Sequence, residues 1–375
     1  MKKNLKELKV AIVHEWFVNH AGSEKVVQEL LEIFPQASLF SLVDFLDDSS
    51  RSYLGGRKVK TSFIQRLPFS RRFFRSYFPL FPLAVENHDL RDFDLIISSS
   101  HMVSKGLLCR QDQLHISYCH SPCRFAWDLY HQYLEEAGLK KGIKGFMAQY
   151  FLHRLRSWDI LSLNRVHHFV ANSGYIAKRI AHVYRRSAEV VYPPVGTERF
   201  TCEAEKGNYY FAAGRLVPYK KMDLIVEAFN LMPEKKLVLS ASGTDGQRLR
   251  QLAGPNIEFR SDCSNEEFLS LMSKARAFVF AAEEDFGITM AEALACGTPV
   301  IAFGKGGATE IVEQGKSGIL FGSQTAESLC RALHDFEQKG LEWDAARISA
   351  SAERFSRKRF REQMQALLEE KWAGF

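Results

Sequence analysis

Residues Ala277–Ala302 read AFVFAAEEDFGITMAEALACGTPVIA, and this stretch decides the architecture. It opens on a short apolar run, Ala277–Phe280. An acidic turn follows, Glu283-Glu284-Asp285, and then an Ala-rich, helix-periodic segment, Thr289–Cys296. Gly297-Thr298 closes that segment, and a second apolar run begins at Pro299 and ends at Ala302. Strand, crossover helix and strand in succession form the unit of a parallel sheet, whose strands are apolar on both faces.

The same alternation runs outward in both directions. In the first half, strands are predicted at Lys9–His14, Ala37–Leu42, Asp94–Ser98, His115–Cys119, His167–Ala171 and Glu189–Tyr192. In the second half they are predicted at Tyr209–Ala213, Lys236–Ser240, Ile257–Arg260, Ala277–Phe280, Pro299–Ala302 and Gly318–Phe321. Helices are predicted at Glu24–Phe34, Met222–Leu231, Glu266–Ser273, Thr289–Cys296 and Ala326–Glu337. A chain of 375 residues is too long for one core. We therefore expect an α/β protein of two doubly wound, Rossmann-like parallel-sheet domains, 1–200 and 201–355. The break falls in the proline-marked stretch from Pro193 to Gly207. The helix-periodic tail, residues 356–375, is expected to pack back on the first half. Two such domains facing across a cleft both offer it their carboxyl strand ends.

Composition narrows the class. The chain is 46% hydrophobic and 25% charged, with a formal charge of +6. That balance suits phosphorylated substrates or an anionic surface and does not by itself indicate nucleic acid. The apolar run Val10–Val13 stops at His14-Glu15, far short of a secretory core, and no run approaches the ~20 residues of a membrane span. The seven cysteines are odd in number and scattered, as reduced thiols in a cytoplasm are. Cys119 and Cys123 lack a second ligand pair, and Asp92-Phe93-Asp94 leads into a strand, so no metal is expected. Gly315-Lys316-Ser317 has Glu310 where a phosphate loop needs glycine.

Polar residues gather just after the predicted strands. In the first half these are His14-Glu15-Trp16, Gly22-Ser23-Glu24, Ser98-Ser99-Ser100-His101, His120 with Arg124, and Asn172-Ser173. Each alone fits a helix cap; together they fit a binding crevice. In the second half, Arg215 and Lys220 stand on one strand-to-helix loop, where they fit either a solvated loop or a clamp on one diphosphate. Glu283 and Asp285 fit simple complements to a helix dipole. Glu292 sits inside an apolar helix and does not. Eight residues correspond to about 80° of helical rotation, so one helix cannot align Glu284 with Glu292. A loop Glu284 and a helical Glu292 can share a crevice, with the free amides near Gly287 and Ile288 as an anion site.

These motifs resemble glycosyltransferase family 4. The resemblance rests on Gly22-Ser23-Glu24, on Gly214-Arg215-Leu216 with Lys220, on Glu284 through Glu292, and on Cys296-Gly297-Thr298-Pro299-Val300. Tyr118 to Arg124, Trp158-Asp159, Asn172-Ser173 and Val191 to Val195 are similar to the bacterial mannosyltransferase branch that builds O-antigen and exopolysaccharide. The resemblance implies the GT-B fold and a retaining transfer of a hexose, mannose from GDP-mannose, to a polyprenyl-diphosphate-linked saccharide. It implies a peripheral place on the cytoplasmic face of the inner membrane, and no cofactor. Glu284 is expected on the donor hexose and Glu292 on the ribose. Arg215 and Lys220, with the amides of Phe286, Gly287, Ile288 and Thr289, are expected on the diphosphate. Gly22 lets the first domain approach the same phosphates, and His120 lies beside the sugar. His14, Glu15, Arg124 and Asn172 are expected at the acceptor. Base selection is expected near Phe259–Ser261. Two departures bear on backbone shape: Ala21-Gly22 replaces Gly-Gly, and Lys221 stands where the family often has glycine.

Between Asp48 and Glu86 there is no acidic residue. The interval holds Arg51, Arg57, Lys58, Lys60, Arg66, Arg71, Arg72 and Arg75, interleaved with Phe63, Phe69, Phe73, Phe74, Tyr77, Phe78 and Phe81. That pattern fits a helix lying on anionic lipid, or phenylalanines in a core beneath solvated arginines. Alternatives to the main reading are a UDP-hexose donor, a GT-B nucleotide-sugar epimerase or phosphorylase, and an inactive sugar-nucleotide-binding partner.

Overall fold

Every strand pairing in the structure, a computed structural model, is parallel; residues 3–243, 246–260, 263–338 and 343–375 are described. The chain divides into two compact units, Met1–Pro193 together with Phe360–Phe375, and Pro194–Arg359. Each unit is a doubly wound, Rossmann-like parallel sheet.

The first unit carries β1 (Val10–Phe17), β2 (Ser38–Asp44), β3 (Val59–Thr61), β4 (Leu95–Ser100), β5 (Leu114–Cys119), β6 (His168–Ala171) and β7 (Ala188–Val190). Their order in the sheet is β3-β2-β1-β4-β5-β6-β7. The second unit carries β8 (Tyr210–Arg215), β9 (Leu237–Ser242), β10 (Ile257–Arg260), β11 (Ala277–Phe280), β12 (Val300–Phe303) and β13 (Gly318–Phe321), in the order β10-β9-β8-β11-β12-β13. In each sheet the winding reverses beside the first strand, between β1 and β4 and between β8 and β11. That reversal is where a doubly wound sheet opens a crevice at its carboxyl edge.

The helices that matter to the site are α1 (Gly22–Ile33), α2 (Gly142–Ser162), α3 (Gly174–Tyr184), α4 (Met222–Asn230), α5 (Ile288–Ala295) and α6 (Arg357–Gly374). Strand interiors are continuous apolar runs: β11 and β12 are buried at every position, as a sheet covered on both faces requires. In α1 the buried Val26, Val27, Leu30 and Leu31 follow helical spacing, so one stripe meets the sheet. α6 works the same way for the first unit. Phe360, Met364, Leu367 and Leu368 are buried in the core built on β1, β4 and β5, with the Phe360 ring 5.9 Å from Tyr118.

The division falls at Pro193/Pro194 and again near Arg359. Val195 belongs to the second unit because its amide donates to the Phe355 carbonyl (2.8 Å) and its carbonyl accepts from Arg357 (3.1 Å). β1 runs through Phe17, so His14, Glu15 and Trp16 lie within a strand rather than after it. β3 was not anticipated; it is a three-residue strand at the sheet edge within the basic stretch. That stretch is no single helix. It folds as short turns and helices, Ser49–Leu54, Phe63–Arg66, Ser70–Phe73, Phe74–Leu80 and Phe81–Glu86, with Pro79 inside one of them. Phe74 and Phe81 enter the core, whereas Phe69 is 81% exposed and Phe73 is 48% exposed. Among the described residues no helix is long and apolar enough to cross a membrane.

Because α6 contributes to the first unit's core, Phe360→Ala should destabilise that unit by ~3–5 kcal/mol. Urea unfolding of the full chain, followed by a signal specific to the first unit, measures it. A change confined to the second unit's transition would contradict this placement.

Candidate active site

The second unit gathers its polar groups at the reversal beside β8. Arg215 is the last residue of β8, and the turn Pro218–Lys220 leads into α4. Lys220 Nζ meets Glu284 Oε1 at 2.5 Å, with both side chains mostly buried. The ammonium also lies over the rings of Tyr219 (5.8 Å) and Phe280 (5.9 Å). Arg215 donates to the Tyr219 hydroxyl (2.5 Å), so Tyr219 sits against both cations. Glu284 lies in the loop after β11, where its carbonyl accepts from Gly307 (2.9 Å). Gly306, at φ +69°, and Gly307 press on this loop. A Cβ on Gly306 would come 2.3 Å from the Glu284 oxygen, and one on Gly307 would come 2.1 Å from that of Phe286. Gly287, at φ +91°, caps α5, and a Cβ there would meet Met290 at 2.3 Å.

Helix α5 starts at Ile288, so its first amides lack intrahelical partners and aim the positive end of the dipole outward. Glu292 lies about one turn inside that helix and is partly buried. Arg215 and Thr289 line one cavity of about 280 Å³, together with Ala213, Gly214, Ser240, Ala241 and Phe268. The acidic pair therefore divides as its spacing requires, with Glu284 on the loop and Glu292 on the helix. Phe259 packs against the core, and Ser261 lies outside the described residues.

In the first unit the polar groups also meet at the reversal, between β1 and β4. Glu15 is fully buried. Its Oε1 accepts from the amides of Met102 (2.7 Å), Val103 (2.8 Å), Ser104 (3.1 Å) and His101 (3.2 Å), and from the hydroxyls of Ser100 and Ser104. Burial raises its carboxyl pKa, but His101 and the amides of Ser104 and Met102 outweigh that and hold it below the ordinary range. His14 is 1% exposed, with Nδ1 3.1 Å from Ser99 Oγ and Nε2 3.6 Å from Glu24 Oε1. Burial raises the Glu24 pKa, while His14, its own amide and Ser23 pull it down to about 2. Ser99 Oγ in turn lies 2.8 Å from His120 Nε2. Burial, then His101 and His14, hold His120 well below the ordinary histidine value, which keeps it neutral at pH 7.

His14 and Glu15 were expected at the acceptor. Both are sealed inside the unit, Glu15 by the loop after β4 and His14 among β4 and the start of α1, and so neither side chain is placed to touch an acceptor. Asn172 is also largely buried; its Nδ2 donates to the His120 carbonyl (2.9 Å). Arg124 is partly exposed on the loop after β5, and Gly22 is the first residue of α1.

The chain was compared with protein families and solved structures. A family model described as Glycosyltransferase Family 4 matches residues 21–199, and one described as Glycosyl transferases group 1 matches residues 197–355. The chain belongs to glycosyltransferase family 4. Among curated relatives, the chain is 31% identical over 199 residues to a D-inositol 3-phosphate glycosyltransferase of Streptomyces bingchenggensis, covering 44% of each chain. It is 30% identical over 152 residues to the O-antigen chain mannosyltransferase RfbU of Salmonella typhimurium, covering 38% of this chain and 43% of that one. These matches span less than half the length of the curated relatives. The fold is that of HepE from Anabaena, solved in complex with UDP and glucose. The TM-score is 0.70 at 16% identity, with 96% of this chain and 99% of that chain covered. A sucrose-phosphate synthase from Thermosynechococcus elongatus gives 0.71 at 15% identity, covering 98% of this chain and all of that one.

Sequence reasoning missed several residues that shape the second unit's reversal. Tyr219 was passed over because a tyrosine between two basic residues has no motif of its own. Gly306 and Gly307 matter only through their contact with a loop distant in sequence; the Gly-Lys-Gly-Gly run after β12 was the available signal. Lys221 was a departure in doubt, and its backbone is left-handed, φ +54°, as a glycine's can be. The loop thus keeps its shape at the cost of backbone strain on a side-chain-bearing residue. Lys221→Gly should stabilise the second unit by about 1 kcal/mol and leave the Lys220–Glu284 pair in place. A urea midpoint that falls in this variant would overturn that account.

Proposed function

We propose that the chain is a retaining glycosyltransferase that moves mannose from GDP-mannose to a lipid-linked saccharide acceptor, in the assembly of a bacterial surface polysaccharide. The observation that carries this reading is the Lys220–Glu284 contact at the reversal of the second sheet, with Arg215 and the start of α5 around it. The relatives named for mannosyl transfer support the donor and the lipid-linked acceptor.

The roles follow from chemistry. Before the donor arrives, Lys220 and Glu284 satisfy each other. Donor binding separates them: the ammonium turns to the diphosphate, and the carboxylate accepts from the hexose hydroxyls. Arg215 and the amides of Phe286, Gly287 and Ile288 complete the anion site, and Glu292 takes the ribose hydroxyls. The cavity holding Arg215 and Thr289 receives the nucleotide part. His120 meets the sugar and Arg124 the acceptor. Catalysis rests on stabilising charge on the departing diphosphate, whose oxygen accepts the acceptor's proton as the new bond forms on the same face. No metal is needed, because Lys220, Arg215 and the helix start carry that charge.

A thermal-shift panel of GDP-mannose, UDP-hexoses and ADP-hexoses tests the donor, since binding raises Tm by mass action. The largest shift is expected with GDP-mannose. A larger shift with a UDP-hexose overturns the donor and leaves the class standing, and no shift with any overturns the class. With the responding donor, Lys220→Ala and Arg215→Ala should each lower kcat by ~10²–10³ with little change in donor affinity. An unchanged kcat at saturating donor would refute the leaving-group role.

We also propose that the first unit rests on an anionic membrane surface. Phe69, Phe73, Leu80 and Leu83 are exposed beside Arg71 and Arg72. A second exposed stripe lies on α2, at Ile143, Phe146, Met147 and Tyr150, and the Phe78–Phe151 ring contact (6.3 Å) joins α2 to the first patch. From 137 to 158 there is again no acidic residue, while Lys140, Lys141 and Lys144 lie alongside. Apolar side chains among cations that outnumber the neighbouring acids, with Lys140 paired to Glu135 (2.8 Å), are suited to the interface of an anionic bilayer. Flotation with vesicles containing phosphatidylglycerol should fall when Phe69, Phe73, Ile143 and Phe146 are replaced by serine; unaltered flotation would rule the surface out.

A further inference from the structure

Glu24, His14, Ser99 and His120 stand in single file. Glu24 Oε1 lies 3.6 Å from His14 Nε2, His14 Nδ1 lies 3.1 Å from Ser99 Oγ, and Ser99 Oγ lies 2.8 Å from His120 Nε2. The first three side chains are sealed from water. The other oxygen of Glu24, Oε2, accepts from the Ala21 amide (3.2 Å) and the Ser23 hydroxyl (2.9 Å), which leaves Oε1 toward His14. His120 Nδ1 has no hydrogen bond among the described residues. The His120 backbone is held on both sides, its amide by the Ser100 carbonyl (2.8 Å) and its carbonyl by Asn172 (2.9 Å).

Ser99 has one proton to donate, so the file can point in one of two directions. At 3.6 Å the Glu24–His14 contact is longer than a hydrogen bond, but a bare lone pair on the nitrogen facing the carboxylate would be repelled by its charge, so that ring nitrogen carries hydrogen. In a neutral His14 this leaves Nδ1 bare, and Ser99 donates to it. The Ser99 oxygen then accepts from His120 Nε2–H, and His120 Nδ1 is left with a lone pair.

We propose that Glu24, acting through His14 and Ser99, holds His120 in the Nε2–H tautomer and so presents a hydrogen-bond acceptor at Nδ1. That acceptor takes a hydroxyl and disfavours a phosphate or carboxylate oxygen. Under the function proposed above, the hydroxyl belongs to the donor hexose; the tautomer itself does not rest on that reading. Glu24, His14 and Ser99 are positioning residues, since none is placed to touch a ligand. Other ionisable neighbours are Tyr53, beside Glu24, and His101 and Glu15, which face each other beside the file. An imidazolium at His14 would reverse the file, and the same experiment reads its state.

Long-range proton–nitrogen spectra of the full chain labelled with ¹⁵N-histidine, at neutral pH and without ligand, test this; His120→Gln assigns the signal. His14 and His120 are both expected as neutral Nε2–H tautomers. Ser99→Ala should turn His120 into a mixture of tautomers and leave His14 unchanged, while Ser99→Thr should restore the single form. Glu24→Gln should mix both histidines. His120 seen as Nδ1–H in the native chain, His14 seen as an imidazolium, or a His120 signal indifferent to Ser99→Ala would each overturn the proposal. In turnover, Ser99→Ala should raise the donor KM by ~tenfold, and Ser99→Thr should recover it. A chain that turns over no donor but shows these tautomers defeats the proposed function and leaves this inference standing. Turnover with the wrong tautomer does the opposite.

Discussion

A parallel sheet wound in both directions must send the connections from two neighbouring strands to opposite faces. Where that happens the covering helices part, and the backbone groups at the strand ends have no neighbour to meet. Both units of this chain are built on that constraint, between β1 and β4 and between β8 and β11. The central polar contacts of both units lie at those two reversals. Lys220 arrives from one side of the second reversal and Glu284 from the other, and His14 and Ser99 do the same at the first.

Carboxylates shape both reversals in different ways. Glu15 is spent on backbone: one oxygen gathers the amides of four successive residues and fixes the loop after β4. Such a buried charge persists only because each of its bonds is charge-assisted. Glu24 joins the start of α1 to a file of side chains that ends at a partly exposed histidine. Glu284 is the least committed of the three. Its partner is the flexible end of a lysine, which a ligand anion can draw away. The contrast separates groups that build the site from a group free to act in it.

Much of the fold was legible in the sequence. Continuous apolar runs separated by helix-periodic segments have few other solutions, and the predicted strands of the second half agree with β8–β13 to within about two residues at their ends. The miss at β3 comes from its place at an edge, where three residues pair on one side and need not be apolar. The long helix α2 was missed because its apolar residues are split between the buried Leu152 and Leu155 and the exposed Ile143 and Phe146, so no single stripe is readable. The basic stretch was expected as a helix and folds as broken turns, because its prolines interrupt any longer one.

By itself the sequence determined the class of fold and the division of Glu284 and Glu292 between loop and helix, since both follow from local spacing, while the family came from the resemblance of its motifs. Only the tertiary structure decided which polar residues meet. His14 and Glu15 carry the same signature in sequence as Arg124, polar groups near a strand end, yet they are sealed. What holds them is a strand and the loop after it, more than 80 residues later, Ser99 of the strand meeting His14 and the loop amides meeting Glu15. Gly306 and Gly307 gain their importance from contacts with the loop after a neighbouring strand, and no local pattern encodes those. Spacing along a chain fixes periodicity and direction; burial depends on what the rest of the chain lays over a residue.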